Sequence, residues 1–154
     1  MSHIDAEKTG NHRPRSRARF RNGGSLGLKV TRTDEVIRHI ERGLSYQALR
    51  RFESSSGLSV ARVAAVLGIP ERTLARRKVV GRLSPEESER LLRLSAVFEK
   101  AAELFEGNVP DAVQWLTTPK KALGDSTPLF YSRTEVGARE VENLIGRLEH
   151  GVFS

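Results

Sequence analysis

The chain has 154 residues, with 26 lysines and arginines against 19 aspartates and glutamates, and therefore carries a formal net charge of +7. This length suits one ordinary domain or two small ones, and the charge favours a polyanionic partner, of which nucleic acid is the commonest. The absence of cysteine excludes disulfides, thiolate catalysis and Cys-ligated zinc, and the lack of a long apolar run or a signal-like N-terminus predicts a cytoplasmic protein.

The first segment, residues 1–32, is rich in arginine, glycine and serine and has almost no apolar periodicity. Such a composition buries too little surface to offset the entropy of ordering, so we expect a flexible basic arm. Arginine alternates with other residues from Arg15 to Arg21. This pattern leaves two interpretations open, an arm that contacts DNA and a solvated tail.

The next segment, residues 33–83, is predicted to contain four helices. Thr33 is a good N-cap, and the apolar residues after it recur at helical spacing as far as Gly43. Ser45 opens a second helix, which ends in the serine- and glycine-rich stretch 54–57. Two short helices follow over residues 58–78 and are separated at Gly68.

The two short helices meet the requirements of a helix-turn-helix motif. Ala64 is the small residue where the helices approach each other, and Gly68 tolerates the conformation of the turn. Ile69 fills the gap between the helices, and Leu74 anchors the second one. The sequence therefore predicts a DNA-binding unit in the middle of the chain.

Arginine is concentrated on the second of these helices. With Leu74 and Ala75 turned toward the body, four side chains face outward, where they could donate to guanine edges or phosphates in the major groove. These are Arg72, Thr73, Arg76 and Arg77. Three further cations are better placed for backbone phosphates, namely Arg62, Lys78 and Arg82. A helical hairpin with a solvated basic face is the alternative, but it leaves the concentration of arginine on one helix unexplained.

The remaining residues, 84–154, are predicted to form a second small helical domain of mixed charge. Ser84-Pro85-Glu86-Glu87 is a capping box that opens a long helix ending at Gly107. Its apolar stripe, which favours a core or a dimer seam, consists of Leu91, Leu94, Phe98, Ala101 and Phe105. A short helix begins at Pro110, a brief turn at Pro128, and a last helix is capped by Thr134. No stretch alternates with a period of two, so the predicted fold class is all-α.

Catalysis is not indicated by the arrangement of the polar residues. The four histidines are scattered over the chain, at His3, His12, His39 and His150. The carboxylates after Pro85 fit helix capping better than acid-base chemistry, and Gly23-Gly24 is too isolated to cradle a phosphate. We therefore expect a protein that is not an enzyme and uses neither a cofactor nor a metal.

Several stretches resemble the Xre/MbcA/ParS family of antitoxins. They are residues 68–77, residues 81–94, Trp115-Leu116-Thr117-Thr118-Pro119, Ala122-Leu123-Gly124, Thr127-Pro128-Leu129, residues 134–142 and residues 148–153. The resemblance covers about residues 33–153 and implies an Xre-like helix-turn-helix domain followed by a toxin-binding domain. It also implies a partner toxin of the RES class that consumes NAD, whose active-site cleft the antitoxin covers, and repression of the operon that encodes both.

A surface that neutralises an enzyme needs an apolar anchor that enters a pocket, with polar groups around it. Val152 and Phe153 lie beyond the stop of the last helix and are the expected anchors, with Arg147 and Glu149 as rim charges. Packing of Phe153 on its own domain is the alternative, and Trp115 is more typical of a core residue.

The oligomeric state and the second candidate function follow from the DNA-binding motif. Helix-turn-helix proteins usually bind DNA as dimers, so a homodimer is expected. The alternative function is a free-standing dimeric transcriptional regulator, whose C-terminal domain only dimerises and which has no toxin partner.

Overall fold

A computed structural model describes residues 23–30 and 32–151, and this part of the chain is helical. The helices are α1 (Thr33–Arg42), α2 (Gln47–Ser56), α3 (Val60–Leu67), α4 (Glu71–Val80), α5 (Pro85–Leu104), α6 (Val109–Leu116), α7 (Pro128–Tyr131) and α8 (Glu135–Glu149). No strand occurs within the described ranges, where only two isolated β-bridges form. The prediction of an all-α fold is confirmed. None of the helices described is long and apolar enough to cross a membrane.

Helix α5 is the element on which the others pack. It contacts α1, α2 and α3 from the N-terminal half of the chain and α6 and α8 from the C-terminal half. Phe98 of α5 meets Phe52 of α2 edge to face, with ring centroids 5.3 Å apart, a preferred geometry for aromatic pairs. The buried apolar side chains form one core that continues across residue 84. The domain limits 33–83 and 84–154 therefore stay a prediction.

The predicted helix-capping residues are confirmed at two of three helices. The hydroxyl of Ser84 accepts from the N–H of Glu87 at 3.1 Å while the carboxylate of Glu87 accepts from the N–H of Ser84 at 2.9 Å, which completes the capping box. Thr134 caps α8 through the N–H of Gly137. Thr33 is not an N-cap, because the extended residue Arg32 takes that place and its carbonyl accepts the first helical hydrogen bonds.

Three helix boundaries also differ from the prediction. The second helix begins at Gln47, whose N–H donates to the hydroxyl of Ser45 at 3.1 Å. Helix α5 ends at Leu104 and not at Gly107, because the chain leaves the helix through left-handed conformations at residues 106 and 107. Helix α6 begins at Val109, with Asn108 as its N-cap.

Residues 23–28 are packed against the helical body, which corrects the prediction of a flexible arm for this stretch. A 3₁₀ turn at Gly24–Leu26 contacts α2 and α5, and Leu26 is only 2% exposed. The prediction failed here because a single leucine in a polar context gives no periodic signal, yet it fills a gap in the core. Residues 1–22 of the predicted arm lie outside the described residues.

The buried carboxylate of Glu99 holds this stretch in place. It accepts hydrogen bonds from the N–H of Gly23 at 3.3 Å, from the N–H of Ser25 at 3.1 Å and from the hydroxyl of Ser25 at 2.7 Å. A carboxylate without partners would be costly to bury, so the stretch and Glu99 stabilise each other.

Candidate functional site

The helix-turn-helix motif is formed by α3, the turn at Gly68 and α4, as the sequence predicts. Gly68 adopts a left-handed conformation with φ of 74°, and the N–H of Ile69 donates to the carbonyl of Ala64 at 2.9 Å. Ala64 and Ile69 are buried between the helices, and Leu74 packs partly buried against the core. These contacts fix the angle at which α4 leaves the turn.

Helix α4 is attached to α5 by a pair of parallel hydrogen bonds between Arg77 and Glu87. The two guanidinium nitrogens lie 2.7 Å and 3.0 Å from the two carboxylate oxygens. Burial alone would raise the pKa of Glu87, but the hydrogen bonds from Arg77 and from the backbone of Ser84 hold it below its ordinary value. The expected outward orientation of Arg77 is therefore wrong, because the buried carboxylate draws this side chain inward.

Two more arginines brace the motif through backbone carbonyls. Arg90 of α5 donates to the carbonyl of Leu67 at the end of α3, at 2.8 Å. Arg82, just beyond α4, donates to the carbonyl of Gly43 at 2.6 Å.

Gly43 has φ of 87°, and a Cβ atom there would collide with the carbonyl oxygen of Leu83, so the chain needs a glycine at this close approach.

The outward side of α4 consists of two neighbouring rows of exposed residues. Residues four positions apart lie above one another on a helix. The first row is Glu71, Ala75 and Val79, and the second is Arg72, Arg76 and Val80. On the opposite side, Thr73, Leu74 and Arg77 are partly buried. The expectation that Ala75 faces the body is therefore wrong, because Leu74 and Arg77 supply the contacts with the body instead.

Four of the predicted DNA-binding cations are exposed and unpaired. Within residues 23–30 and 32–151, no hydrogen bond or ion pair is formed by the side chains of Arg62, Arg72, Arg76 and Lys78. Only Glu71 brings a negative charge to α4. Arg72, Arg76 and Lys78 lie on α4 and Arg62 lies on α3. Free donors of this kind can bind phosphates and guanine edges in the major groove of a duplex.

The C-terminal helices present a different surface. The buried side of α8 comprises Ala138, Val141 and Ile145, while Arg147 and Glu149 are exposed on its last turn. The predicted anchors Val152 and Phe153 lie outside the described residues. The predicted rim charges are therefore accessible, but nothing described places them against the anchors.

Two cation-aromatic pairs in this half were not foreseen from the sequence. The guanidinium of Arg133 lies 3.8 Å from the ring centroid of Phe130, which remains half exposed. Lys120 lies 5.1 Å from the ring of Trp115, and burial lowers its pKa. Trp115 packs against the core, partly buried, in keeping with the expectation for this residue. The spacing of three residues from Phe130 to Arg133 was the available signal for the first pair.

Comparisons with known protein families match two consecutive regions of the chain. Residues 35–95 match the family model described as Antitoxin Xre-like helix-turn-helix domain, and residues 100–151 match that of the Antitoxin Xre/MbcA/ParS C-terminal toxin-binding domain. A relative from Yersinia enterocolitica named Antitoxin Xre is 41% identical over 130 residues, which cover 84% of this chain and 88% of the relative. The chain belongs to the Xre antitoxin family.

Two other relatives named Antitoxin Xre support the same membership. One, from Photorhabdus laumondii, is 34% identical over 116 residues, which cover 75% of this chain and 78% of the relative. The other, from Pseudomonas putida, is 34% identical over 84 residues, which cover 54% of this chain and 52% of the relative. In this Xre antitoxin the first matched region includes α3, α4 and most of α5, and the second includes α6 to α8.

Proposed function

We propose that this Xre antitoxin binds and neutralises a RES-domain toxin that degrades NAD, and that it represses its own operon by binding operator DNA as a homodimer. The observation that carries the proposal is that one core supports both a helix with three cations unpaired among the described residues and a region that matches a toxin-binding domain. The RES class of the toxin is taken from the family resemblance.

In the DNA complex, α4 lies in the major groove and its outward arginines act as donors. Arg72 and Arg76 donate to guanine edges, and Thr73 lies next to them at the side of the helix. Arg62 and Lys78 neutralise phosphates. Arg82 is an exposed residue, and its guanidinium contacts a phosphate in addition to its bond with Gly43.

Arg77 contributes to DNA binding through position and not through contact. Its hydrogen bonds with Glu87 hold α4 against the start of α5. Binding of a duplex requires this helix to stand at a defined angle, because an entire row of side chains must meet the groove at once.

The toxin complex uses the C-terminal end of α8. Val152 and Phe153 enter the cleft of the toxin, and Arg147 and Glu149 form polar contacts at its rim. A few buried residues usually carry most of the binding energy of an interface, so loss of the two apolar anchors should release the enzyme.

The DNA-binding part is tested with the double variant Arg72→Ala and Arg76→Ala. We expect it to lose binding to the DNA upstream of its own gene at moderate salt, while circular dichroism shows unchanged helicity. A double variant that still shifts this DNA like the wild type would contradict the assignment of α4.

The toxin-binding part is tested in cells that express the neighbour-encoded toxin. Removal of residues 152–154 should restore NAD depletion, whereas a control that lacks only Ser154 should still protect the cells. Complete protection by the shorter chain would rule out the proposed anchors. Co-purification with the untagged toxin separates the proposal from a free-standing regulator, since a regulator would form every stable assembly alone.

A further inference from the structure

Val79 is the most exposed large apolar side chain in the described part of the molecule, at 88%. Burial of a valine side chain stabilises a folded protein, yet the fold leaves this one in solvent. Since single exposed apolar residues are common, its position on α4 is what matters.

Val79 lies one helical turn after Ala75, in the row that faces directly away from the body. The side of α4 held by Leu74 and Arg77 is opposite to this row. The neighbouring row begins with Arg72 and Arg76. A duplex that is bound by those arginines therefore also faces the methyl groups of Ala75 and Val79.

The major groove offers one apolar group to such a ridge, the C5-methyl of thymine. The other base edges present polar atoms, and an apolar side chain pressed against them would leave those atoms without hydrogen bonds. We infer that Ala75 and Val79 select thymine in the operator through its C5-methyl group, with Val79 as the specificity-determining contact. The inference rests on the proposed DNA binding and names what one row of the same helix reads.

A second copy of the chain is a less suitable occupant of this ridge. A two-fold contact through Val79 would bring the same surface of both copies together. Arg72, Arg76 and Lys78 of each copy would then face one another, and like charges across an interface are unfavourable. The polyanionic duplex has the opposite charge and therefore fits this surface.

The test compares two forms of one DNA segment, the region immediately upstream of the gene of this chain. One form is amplified with thymidine triphosphate and the other with deoxyuridine triphosphate, which keeps base pairing but removes the C5-methyl. Binding of the full chain is measured for the wild type and Val79→Ala, with Val136→Ala, an exposed valine of α8, as the matched control.

For the wild type we expect uracil substitution to weaken binding roughly fourfold for each methyl group buried. Val79→Ala should bind the thymine DNA several-fold more weakly and lose much of its sensitivity to uracil. Val136→Ala, outside the proposed DNA-binding surface, should keep the affinity and the full sensitivity of the wild type.

Each other outcome decides against the inference in a recognisable way. Equal wild-type binding to both DNA forms would overturn it and leave the proposed DNA binding intact, as would full methyl sensitivity in Val79→Ala. A change of oligomeric state in Val79→Ala, measured by light scattering, would assign the ridge to a second copy. Failure to bind either DNA form would overturn the inference together with the proposed operon repression.

Discussion

The cations proposed to contact phosphates determine the expected salt dependence of DNA binding. There are three of them, Arg62, Lys78 and Arg82, and all three are exposed. Each phosphate neutralised lowers the slope of log affinity against log salt by about 0.9. Three contacts give a slope of about −2.7 per protomer and about −5.4 for a homodimer.

Lys78→Gln removes one of these charges and keeps a residue that favours the helix. We expect the slope to become shallower by about 0.9 for each bound protomer, hence by about 1.8 for a dimer. Fluorescence anisotropy of labelled upstream DNA, titrated at several salt concentrations, measures this slope. The size of the change also counts the protomers on the DNA.

Lys100→Gln is the matched control, because Lys100 is exposed near the other end of α5. It removes the same charge from the whole protein but not from the proposed interface. An unchanged slope in Lys78→Gln would show that Lys78 contacts no phosphate. An equal change in Lys100→Gln would show that the slope depends on net charge and not on this helix.

Two predictions concern stability and are measured by urea unfolding. Leu26→Ala should lower the free energy of unfolding by about 2–5 kcal/mol, as expected for a buried leucine. The exposed control Val136→Ala should change it by no more than about 0.5 kcal/mol. Equal small effects would mean that residues 23–28 are not packed. Glu87→Gln should cost roughly 2 kcal/mol at neutral pH by weakening charged hydrogen bonds with Arg77. Burial opposes ionisation of Glu87, but its hydrogen bonds lower its pKa in the folded protein. The greater stability of the wild type over Glu87→Gln should therefore be present above the ordinary pKa of glutamate. It should be lost as the pH falls through the lowered pKa of Glu87. A difference that stays constant from pH 7 to acid would refute this cause.

Local sequence signals predicted the helices and the motif because their causes are local. The capping box at residues 84–87 and the turn at Gly68 each depend on residues a few positions apart, which a single sequence displays directly. The apolar spacing on α5 likewise predicted which side of this helix is buried. The same local information identified α4 as the basic helix of the motif.

Contacts between distant residues could not be read in this way. Arg77 turns inward because Glu87 lies on the next helix, and the sequence gives no measure of that distance. Ser25 and Glu99 are 74 positions apart. The composition of the first segment therefore could not indicate that a distant carboxylate binds residues 23–25. The outward position of Ala75 follows from the same inward turn of Arg77, and it was missed for the same reason.

The continuity of α5 has a consequence for assemblies larger than the single chain. This helix has 20 residues and is about 30 Å long. It continues without a break from Glu87, which binds Arg77 of α4, to the residues that pack against α8. A bound toxin and a bound duplex would both contact elements that pack on α5. This helix would therefore fix the distance and the angle between those elements. The size of the toxin and the spacing of the half-sites would then decide whether a second copy with bound toxin fits on the same stretch of DNA, since no break interrupts α5 between Pro85 and Leu104.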